Sequence, residues 1–421
     1  MTKNLAFIIV TAVFSVTTCF SQDISRVRFY LDTLCSPAMH GRGACFDGDK
    51  AAASFIKSEF EKCGLKPIRN NYFQPFQYDV NCFEGRVELK ADKKNLLPGK
   101  DFIANCISKG GHGSARALYL DTMVFYDENA RSSFLSKKTK NKAVIYDVKF
   151  YNKLIEYPEV LDKIHEGKCI IELHDKKLTA SLSQKQFSNP FFQVAQSAFP
   201  DSVYKVKFRL DATLKKNYTS QNVIGYIEGA TQPDSVIVIS AHYDHLGTMG
   251  KNVYFPGAND NASGVSMLLE LAHFYSQKEH VPDYTMVFMA FGAEEIGLIG
   301  SRYFTENPLF SLKKIKFMIN LDLLGTGDEG MMVVNATIHP AEYNKLLEIN
   351  ETLDLLPAIK RRGPAANSDH FFFSEKGVPA FFFYTLGGIS AYHDVMDRPD
   401  TLPLTRFKEV FSLITNFVKR L

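Results

Sequence analysis

The sequence predicts an α/β protein, a three-layer sandwich in which helices cover both faces of a mostly parallel, mixed sheet. In the C-terminal half, four nearly continuous apolar runs have the length of strands buried on both faces. Segments with helical spacing lie between these runs, an alternation typical of such a sheet. The predicted strands are "DSVIVIS", "YTMVFMAF", "IKFMINL" and "VPAFFFYTL", and the predicted helices are "NASGVSMLLELAHFYSQ" and "PAEYNKLLEINETL".

The N-terminal half begins with two predicted amphipathic helices and continues with extended segments. The helices are "RVRFYLDTLCS" and "DKAAASFIKSEFEKCGLKP", and the second is expected to stop at Gly64 and Pro67. The following "NNYFQPFQYDVNCFEGRVELK" alternates between apolar and polar residues and is predicted to be extended. From about Pro98 to Asp211, the short runs "ARALYL", "KAVIYDV", "KCIIEL" and "YKVKFRL" indicate a small β-rich inserted domain.

The first 22 residues differ in composition from the rest of the chain. "MTKNLAFIIVTAVFSVTTCFSQ" has one lysine, then an apolar stretch, then small and polar residues. This pattern is typical of a secretory signal peptide, and we expect cleavage after Ser21 and a periplasmic or secreted protein. A membrane anchor, or a lipid attached at Cys19, is the alternative interpretation. No other segment approaches the length of a membrane span.

The composition is that of an ordinary globular protein and argues against some partners and sites. The net charge is only +3, so there is no strong basic field for nucleic acid. Six cysteines remain after removal of the signal peptide, all before residue 170 and none with CxxC spacing. We therefore expect neither a cysteine zinc site nor a catalytic cysteine, and the disulfide pairing stays open.

Acids and histidines follow the predicted strands, each where an apolar run ends. "AHYDHLG", "GAEE", an aspartate and "GGISAYHD" follow the four runs in turn, and "GANDNASG" precedes a helix. The carboxyl ends of parallel strands meet at one edge of a sheet, where ligands bind in such folds. The residues expected to meet there are His242, Asp244, His245, Asp260, Glu294, Glu295, Asp322 and His393.

This cluster has nitrogen and oxygen ligands but no thiolate, which suits Zn²⁺ or a similar divalent metal. It holds more carboxylates than one catalytic zinc uses, since such a zinc usually takes three protein ligands. Two metals that share a bridging carboxylate would use them all, and such pairs form a clamp for hydrolysis. Taken singly, the residues also have structural explanations: Asp260 could cap a helix, Asp322 could start a turn, and the two glutamates could be solvated.

Five motifs occur in the order of a known family. "SAHYDHLG", "GANDNASGV", "AEEIGLIGS", "NLDLLG" and "YHDVMDRPDT" resemble the two-zinc exopeptidases of metallopeptidase family twenty-eight. The resemblance covers about residues 215–421 and extends to "MHGRGACFDGDKAAASFIKSEFEKCGLKP" near the start. It implies the zinc-exopeptidase fold, which is of the phosphorylase/hydrolase-like type, and two zinc ions per chain.

The resemblance also implies a role for each matching residue. One zinc would be bound by His242, Asp260 and Asp322, and the other by Asp260, Glu295 and His393, so that Asp260 is shared. Asp244 would orient His242, as metal-binding histidines usually require. Glu294 would be the general base, and Tyr392 would help to polarise the scissile carbonyl.

The resemblance completes the expected domain organisation. The β-rich part loosely resembles the protease-associated domain that some members carry. The expected parts are a signal peptide (1–21), the first part of the peptidase domain (22–97), the protease-associated-like insertion (98–211) and the metal-binding part of the peptidase domain (212–421).

Together these features predict an exported di-zinc exopeptidase, and specifically an aminopeptidase that removes N-terminal residues from peptides. A carboxypeptidase or dipeptidase of the same family is an alternative, for which Lys360, Arg361 and Arg362 could bind a terminal carboxylate. Glutaminyl cyclase is another, although that subgroup generally keeps one zinc and loses the first histidine motif. An inactive relative that only binds partners is a third. The expected partner is a peptide, without nucleic acid or stable membrane insertion, and the oligomeric state is not predicted.

Overall fold

The computed structural model describes residues 22–421. The predicted signal peptide, its cleavage point after Ser21 and the alternative lipid site at Cys19 lie outside these residues. From Gln22 to Leu421, no helix is both long and apolar enough to cross a membrane. The six cysteines in this range are all unbridged thiols.

The described residues form two sheets and ten α-helices. The strands are β1 (Lys66–Pro67), β2 (Phe73–Cys82), β3 (Val87–Ala91), β4 (Lys94–Leu96), β5 (Phe102–Ala104), β6 (Gly111–Tyr119), β7 (Lys142–Asp147), β8 (Cys169–His174), β9 (Phe191–Ala195), β10 (Lys205–Leu210), β11 (Thr213–Ile227), β12 (Gln232–His242), β13 (Tyr284–Phe291), β14 (Ile315–Leu321), β15 (Gly330–Val334), β16 (Ile359–Arg361) and β17 (Ala380–Leu386). The α-helices are α1 (Ile24–Leu34), α2 (Gly48–Lys62), α3 (Glu128–Leu135), α4 (Tyr151–Glu156), α5 (Pro158–His165), α6 (Gly264–Tyr275), α7 (Ile299–Glu306), α8 (Pro340–Leu353), α9 (His370–Glu375) and α10 (Phe407–Val418).

The first sheet contains the four strands predicted from the apolar runs. Its order is β1-β11-β13-β12-β14-β17-β15-β16, and β2 also pairs with β11. The central strands β13, β12, β14 and β17 are parallel. Antiparallel pairs join β11 to β1, β2 and β13 on one side, and β15 to β17 on the other. The sheet is therefore mixed, and its parallel centre brings four carboxyl ends to one edge.

Helices pack on both faces of this sheet. On one face, residues such as Ile237 and Ile239 pack in a core shared with α1, α2, α6, α8 and α10. On the other face, Val236 and Val238 pack with residues of α7 and α9. Successive side chains of a strand point to opposite faces, so one continuous apolar run contributes to two cores. The predicted α/β fold with three layers is confirmed.

The two N-terminal helices also match the sequence prediction. They are α1 and α2, and α2 ends at Lys62 just before Gly64. Gly64 has a φ of 71°, the left-handed conformation that glycine adopts readily after a helix. The chain then enters β1 and β2, which pair with β11 of the first sheet.

The second sheet forms the inserted unit, which lies within residues 87–210. Its order is β4-β3-β10-β6-β7-β8-β9-β5, with β6 to β9 parallel. Helices α3, α4 and α5 pack on one of its faces, so the unit contains helices as well as strands. Its first two strands lie within residues 87–96, before the predicted start at residue 98, and β10 ends at Leu210, beside the predicted end at 211. The domain boundaries stay a prediction.

A buried glutamate in the inserted unit makes its stability depend on pH. The Glu172 carboxylate accepts hydrogen bonds from Tyr146 at 2.7 Å and Gln193 at 3.0 Å, and lies 2.8 Å from Nε2 of His174. Burial raises the pKa of Glu172, but these three contacts lower it by more, so its pKa lies below the ordinary value. A depressed pKa stabilises the fold at pH values above the ordinary pKa, and this stabilisation is lost as the pH falls through the folded-state pKa.

We therefore expect Glu172→Gln to lower the free energy of unfolding by about 1–3 kcal/mol at pH 7, and by less at pH 3. Thermal unfolding of both proteins across this pH range measures the difference. Glu159→Gln is the matched control, because Glu159 is exposed on α5. A deficit in Glu172→Gln that stays constant with pH would contradict this explanation.

Candidate metal centre

The predicted site residues lie at or just beyond the carboxyl ends of the four parallel strands. His242 ends β12, Asp322 directly follows β14, Glu294 and Glu295 follow β13, His393 follows β17, and Asp260 lies in an irregular helical turn (Ala258–Ser263) that leads into α6. The central parallel strands thus place all six residues at the same edge of the sheet, as the sequence predicted.

Asp260 lies between two histidines that come from different strand ends. Its Oδ1 is 3.4 Å from Nε2 of His242, and its Oδ2 is 3.2 Å from Nε2 of His393. The two oxygens of one carboxylate thus face two separate histidine nitrogens. This is the arrangement that a carboxylate bridging two metal ions requires.

Each histidine has a second carboxylate beside it. Oδ1 of Asp322 is 3.4 Å from Nε2 of His242, and Oε2 of Glu295 is 3.0 Å from Nε2 of His393. With the shared Asp260, each side of the site therefore offers one nitrogen and two carboxylate groups. These are the two sets of three residues that the resemblance implied.

His245 is part of the site, although sequence reasoning gave it no role. Its Nδ1 lies 2.6 Å from Oε1 of Glu295, and its side chain is fully buried. Potential ligand atoms of His245, Asp260 and Glu295 all lie within 4.8 Å of one another. The position of His245 in the same "HYDH" segment as His242 was the signal available for it.

The site fits a pair of divalent cations by its chemistry. Oδ1 of Asp322 is buried without any hydrogen-bond partner. A buried charge or polar atom without a partner is costly, and buried carboxylates that lie together repel one another. Cations held between these groups would offset both effects. Imidazole and carboxylate ligands without thiolate suit zinc.

The adjacent acids Glu294 and Glu295 have different electrostatic environments. Burial raises the pKa of Glu294 well above its ordinary value, and the nearby carboxylates Asp369 and Glu295 add to the effect. Burial also acts on Glu295, but His245 and His393 outweigh it, so the pKa of Glu295 lies below its ordinary value. Glu295 therefore favours the ionised form of a ligand, while Glu294 has the higher proton affinity that a base needs.

Asp244 holds the two glutamates in place through their backbone. Its carboxylate accepts hydrogen bonds from the amide of Glu294 at 3.0 Å and that of Glu295 at 3.2 Å. Its Oδ1 is 3.9 Å from Nδ1 of His242, which lies closer, at 3.2 Å, to the backbone carbonyl oxygen of Asp244. Burial raises the pKa of the Asp244 carboxyl to about 7. The orienting role predicted for Asp244 towards His242 stays a prediction.

Arg42 supports the Asp260 turn from the N-terminal part of the chain. Its guanidinium is fully buried and donates to five backbone carbonyl oxygens. The acceptors belong to Leu34, Tyr243, Pro256, Gly257 and Asp260, at distances of 2.6 to 3.3 Å. These bonds join the segment after His242 to the turn that carries Asp260. Sequence reasoning missed this role, although "MHGRG" was noted for its resemblance.

We expect Arg42→Met to lower the free energy of unfolding by about 3–5 kcal/mol, because it leaves several buried carbonyl groups without donors. Arg42→Lys should recover only part of this loss, since an ammonium group cannot reproduce the planar fork of donors. Thermal unfolding checks both, with Arg69→Met as the control at an exposed arginine. Equal stability of Arg42→Met and Arg69→Met would show that the buried bonds contribute little.

Asp397 holds the same turn from the C-terminal side. Its carboxylate accepts from the amides of Asn259 at 2.8 Å and Asp260 at 3.0 Å. Burial raises the pKa of Asp397 to about 6, although both hydrogen bonds oppose this shift. The motif "YHDVMDRPDT" contains both His393 and Asp397, so one segment provides a candidate ligand and a support for the shared carboxylate.

Comparison with known proteins identifies the family. Residues 222–418 match the profile described as "Peptidase family M28". This segment, 197 of the 421 residues, belongs to peptidase family M28. The family predicted from the five motifs is thereby confirmed, and the M28 segment contains every candidate ligand described above.

The chain has relatives in sequence and in structure. Aminopeptidase YwaD of Bacillus subtilis (strain 168) is 33% identical over 223 residues, which are 49% of this chain and 46% of that protein. The chain thus aligns with about half the length of that curated relative. In structure, it resembles the zinc aminopeptidase BSAP from Bacillus subtilis, with a TM-score of 0.70, 21% identity and 94% of each chain covered. It also resembles an aminopeptidase from Aneurinibacillus sp. strain AM-1, with a TM-score of 0.63, 21% identity and 95% and 94% covered. These likenesses show a shared fold.

The candidate ligands of the M28 segment open into a cavity of about 220 Å³. Its remaining wall is formed by Glu294, Leu323, Asn367, Phe382, Tyr384 and Tyr392. The Tyr392 ring stacks on the His393 ring, with centroids 4.0 Å apart and an interplanar angle of 14°. Tyr392 is 47% exposed and lines the cavity. The carbonyl-polarising role predicted for Tyr392 stays a prediction.

The segment Ser368, Asp369 and His370 lies next to Asp322 of the metal centre. The Ser368 hydroxyl donates to Oδ2 of Asp322 at 3.2 Å and accepts from the Asn320 side chain at 2.8 Å. Asp369 is fully buried, and burial raises the pKa of its carboxyl to about 6. His370 begins α9, so this segment is the start of a short helix as well as a support for Asp322.

Proposed function

We propose that this chain is a zinc-dependent aminopeptidase with two zinc ions per chain. The observation that carries the proposal is the position of Asp260, whose two carboxylate oxygens face His242 and His393 separately. Its sequence relative YwaD is named an aminopeptidase, and BSAP, which shares its fold, is described as a zinc aminopeptidase. Both names support the same activity for this chain.

The residues on the two sides of Asp260 would hold the metals. His242 and Asp322 would complete one site, and Glu295 and His393 the other. When bound, zinc supplies a Lewis acid that polarises the peptide carbonyl and acidifies water. His245, which contacts Glu295, would keep that carboxylate oriented.

Glu294 is the proposed general base. It lies on the cavity wall, and its raised pKa gives it a higher proton affinity than an ordinary glutamate has. It would take a proton from the attacking water and give it to the leaving amine, so that the new N-terminus departs neutral. The Asp244 hydrogen bond to the Glu294 amide fixes the backbone from which this carboxylate projects.

The described lining of the cavity favours capture of a free N-terminus over a free C-terminus. Four carboxylates line it, and none of its described lining residues is a lysine or arginine. Two bound zinc ions would offset the charges of these carboxylates, so the preference rests on the missing basic side chain, the partner that a terminal carboxylate usually has. The apolar part of the wall, with Leu323 and Phe382, would receive the side chain of the first residue.

A carboxypeptidase is the second candidate, and one contact favours it. Arg362 donates to the hydroxyl of Tyr384 at 3.4 Å, and Tyr384 lines the cavity. The Arg362 guanidinium thus contacts a side chain that lines the cavity. Lys360 and Arg361 lie at the exposed end of the edge strand β16 and offer no such contact.

Hydrolysis of aminoacyl p-nitroanilides by the purified chain tests the proposed activity. We expect release of p-nitroaniline from substrates with a free α-amine, loss of activity after treatment with a chelator, and recovery on addition of zinc. Metal analysis is expected to give about two zinc ions per chain. One zinc per chain and cyclisation of N-terminal glutamine would instead indicate a glutaminyl cyclase, and no turnover would indicate an inactive relative.

We also propose export through the predicted signal peptide, to the periplasm or the medium. A second proposal is that the inserted unit is a protease-associated-like domain. The first proposal rests on the composition of residues 1–21. N-terminal sequencing of the protein recovered from its producing cells tests it, with Gln22 as the expected first residue. A first residue at Met1 would contradict cleavage.

A further inference from the structure

The loop that carries His393 is bonded to the inserted unit. Nδ1 of His393 lies 3.0 Å from the carbonyl oxygen of Ala180. The amide of Ala180 in turn donates to the carbonyl oxygen of His393 at 3.0 Å. Ala180 lies between β8 and β9 of the second sheet. Side chain and backbone of one candidate metal ligand are thus both fixed by one residue of another unit.

A lysine three residues earlier strengthens this connection. Nζ of Lys177 donates to the carbonyl oxygen of Ser390 at 2.9 Å and forms an ion pair with the carboxylate of Asp394. The segment from Lys177 to Ala180, called the strap below, therefore contacts the His393 loop on both sides of the histidine. The Lys177 side chain is 42% exposed, so its replacement need not disturb a core.

Apolar packing joins the same two parts of the molecule. Val395 packs against the core of the inserted unit, to which Ala180 also belongs. That core further includes Leu246, Met249 and Phe255, from the segment that follows His242 and His245. The inserted unit is therefore packed against two loops of the metal centre.

The backbone of His393 needs such support. Its φ is 53°, a left-handed conformation that is uncommon for a residue other than glycine. Conformations of this kind persist where the surrounding structure holds them. The reciprocal hydrogen bonds with Ala180 are the contacts of this residue with the backbone of the inserted unit.

The strap also selects the form of the imidazole that can bind a metal. A histidine that ligates through Nε2 carries its proton on Nδ1, and an acceptor beside Nδ1 fixes that tautomer and the ring orientation. The Ala180 carbonyl is such an acceptor, while Nε2 faces Asp260 and Glu295. We propose that the strap positions His393, so that zinc affinity on the His393 side of the centre depends on the inserted unit. This inference rests on the two-zinc site of the proposed function.

Zinc binding by the metal-free chain tests the proposal, measured by competition with a chromophoric chelator. The variants are Lys177→Met, which removes both lysine contacts, and Ala180→Pro, which removes the amide donor. We expect each variant to lower the affinity for one of the two zinc ions by about 10–100-fold, the range typical of residues that orient metal ligands. The affinity for the other zinc ion should stay unchanged. Lys176→Met is the matched control, an exposed lysine beside the strap.

Comparison with a double variant identifies which zinc ion is bound with lower affinity. His393→Ala is expected to lower the affinity for the same zinc ion. Adding Lys177→Met to His393→Ala should cause no further loss of affinity. Thermal unfolding of Lys177→Met should match that of Lys176→Met. Two zinc ions with wild-type affinity in both strap variants, or equal weakening of both ions, would overturn the positioning role alone. A wild-type stoichiometry of one zinc would overturn the two-zinc function and the positioning role together.

Discussion

Glu294→Gln is expected to lower kcat by about 10²–10⁴-fold while the chain keeps both zinc ions. The glutamine amide has the size of the carboxyl group but cannot accept the proton from water at neutral pH. Glu294 is not one of the proposed ligands, so its replacement leaves both sets of ligands complete. The Asp244 hydrogen bond to the backbone at residue 294 does not involve the side chain and is retained. Steady-state kinetics and zinc analysis of one preparation measure both quantities.

Glu295→Gln is the matched control, because it makes the same chemical change at the next residue. Here we expect the zinc content to fall, since Glu295 lies 3.0 Å from Nε2 of His393 and its depressed pKa favours the ionised form. The two neighbours should therefore fail in different ways. Glu294→Gln with near wild-type kcat, or with zinc lost as in Glu295→Gln, would show that the roles are assigned wrongly.

Asp260→Ala is expected to lower the affinity for both zinc ions and to remove measurable activity. Its two oxygens face different histidines, so one replacement removes a ligand from each side. The loss should exceed the 10–100-fold that is typical of residues which only orient ligands. The turn itself should persist, because Arg42 and Asp397 hold the backbone of residue 260 and not its side chain.

Asp322→Ala provides the comparison for a carboxylate that serves one side only. Asp322 contacts His242 and is held by Ser368. We therefore expect Asp322→Ala to lower the affinity only for the zinc ion on the His242 side. Titration of the metal-free variants with zinc distinguishes the two patterns. If Asp260→Ala kept one zinc at wild-type affinity, this carboxylate would not be shared.

The sequence predicted the parallel centre of the fold because such strands are buried on both faces. Strands β12, β13, β14 and β17 appear as apolar runs, and the polar residue after each run marks the edge of the sheet. The candidate ligands could be found for the same reason, since His242 and Asp322 stand where β12 and β14 end. Their assignment to two sides of the site needed the motif order of the family.

The supports of the site could not be found in this way. Most hydrogen bonds of Arg42, and both of those between Ala180 and His393, join residues more than 200 positions apart through backbone groups, and no local pattern marks such contacts. Asp244 and Asp397 were visible as acids in quoted motifs, but their partners are backbone amides that any sequence would provide. The early start of the second sheet at β3 was also hidden, because an alternating run does not indicate which sheet its strand joins.

Digestion of one peptide in three forms tests the central claim most directly. The forms are free at both ends, acetylated at the N-terminus, and amidated at the C-terminus, and the products are followed by mass spectrometry. Residues should be lost one at a time from the N-terminus of the free and amidated peptides, while the acetylated peptide stays intact. Cleavage of the acetylated peptide from its C-terminus, together with protection of the amidated peptide, would contradict an aminopeptidase. The same results would support a carboxypeptidase, the alternative based on the contact between Arg362 and Tyr384.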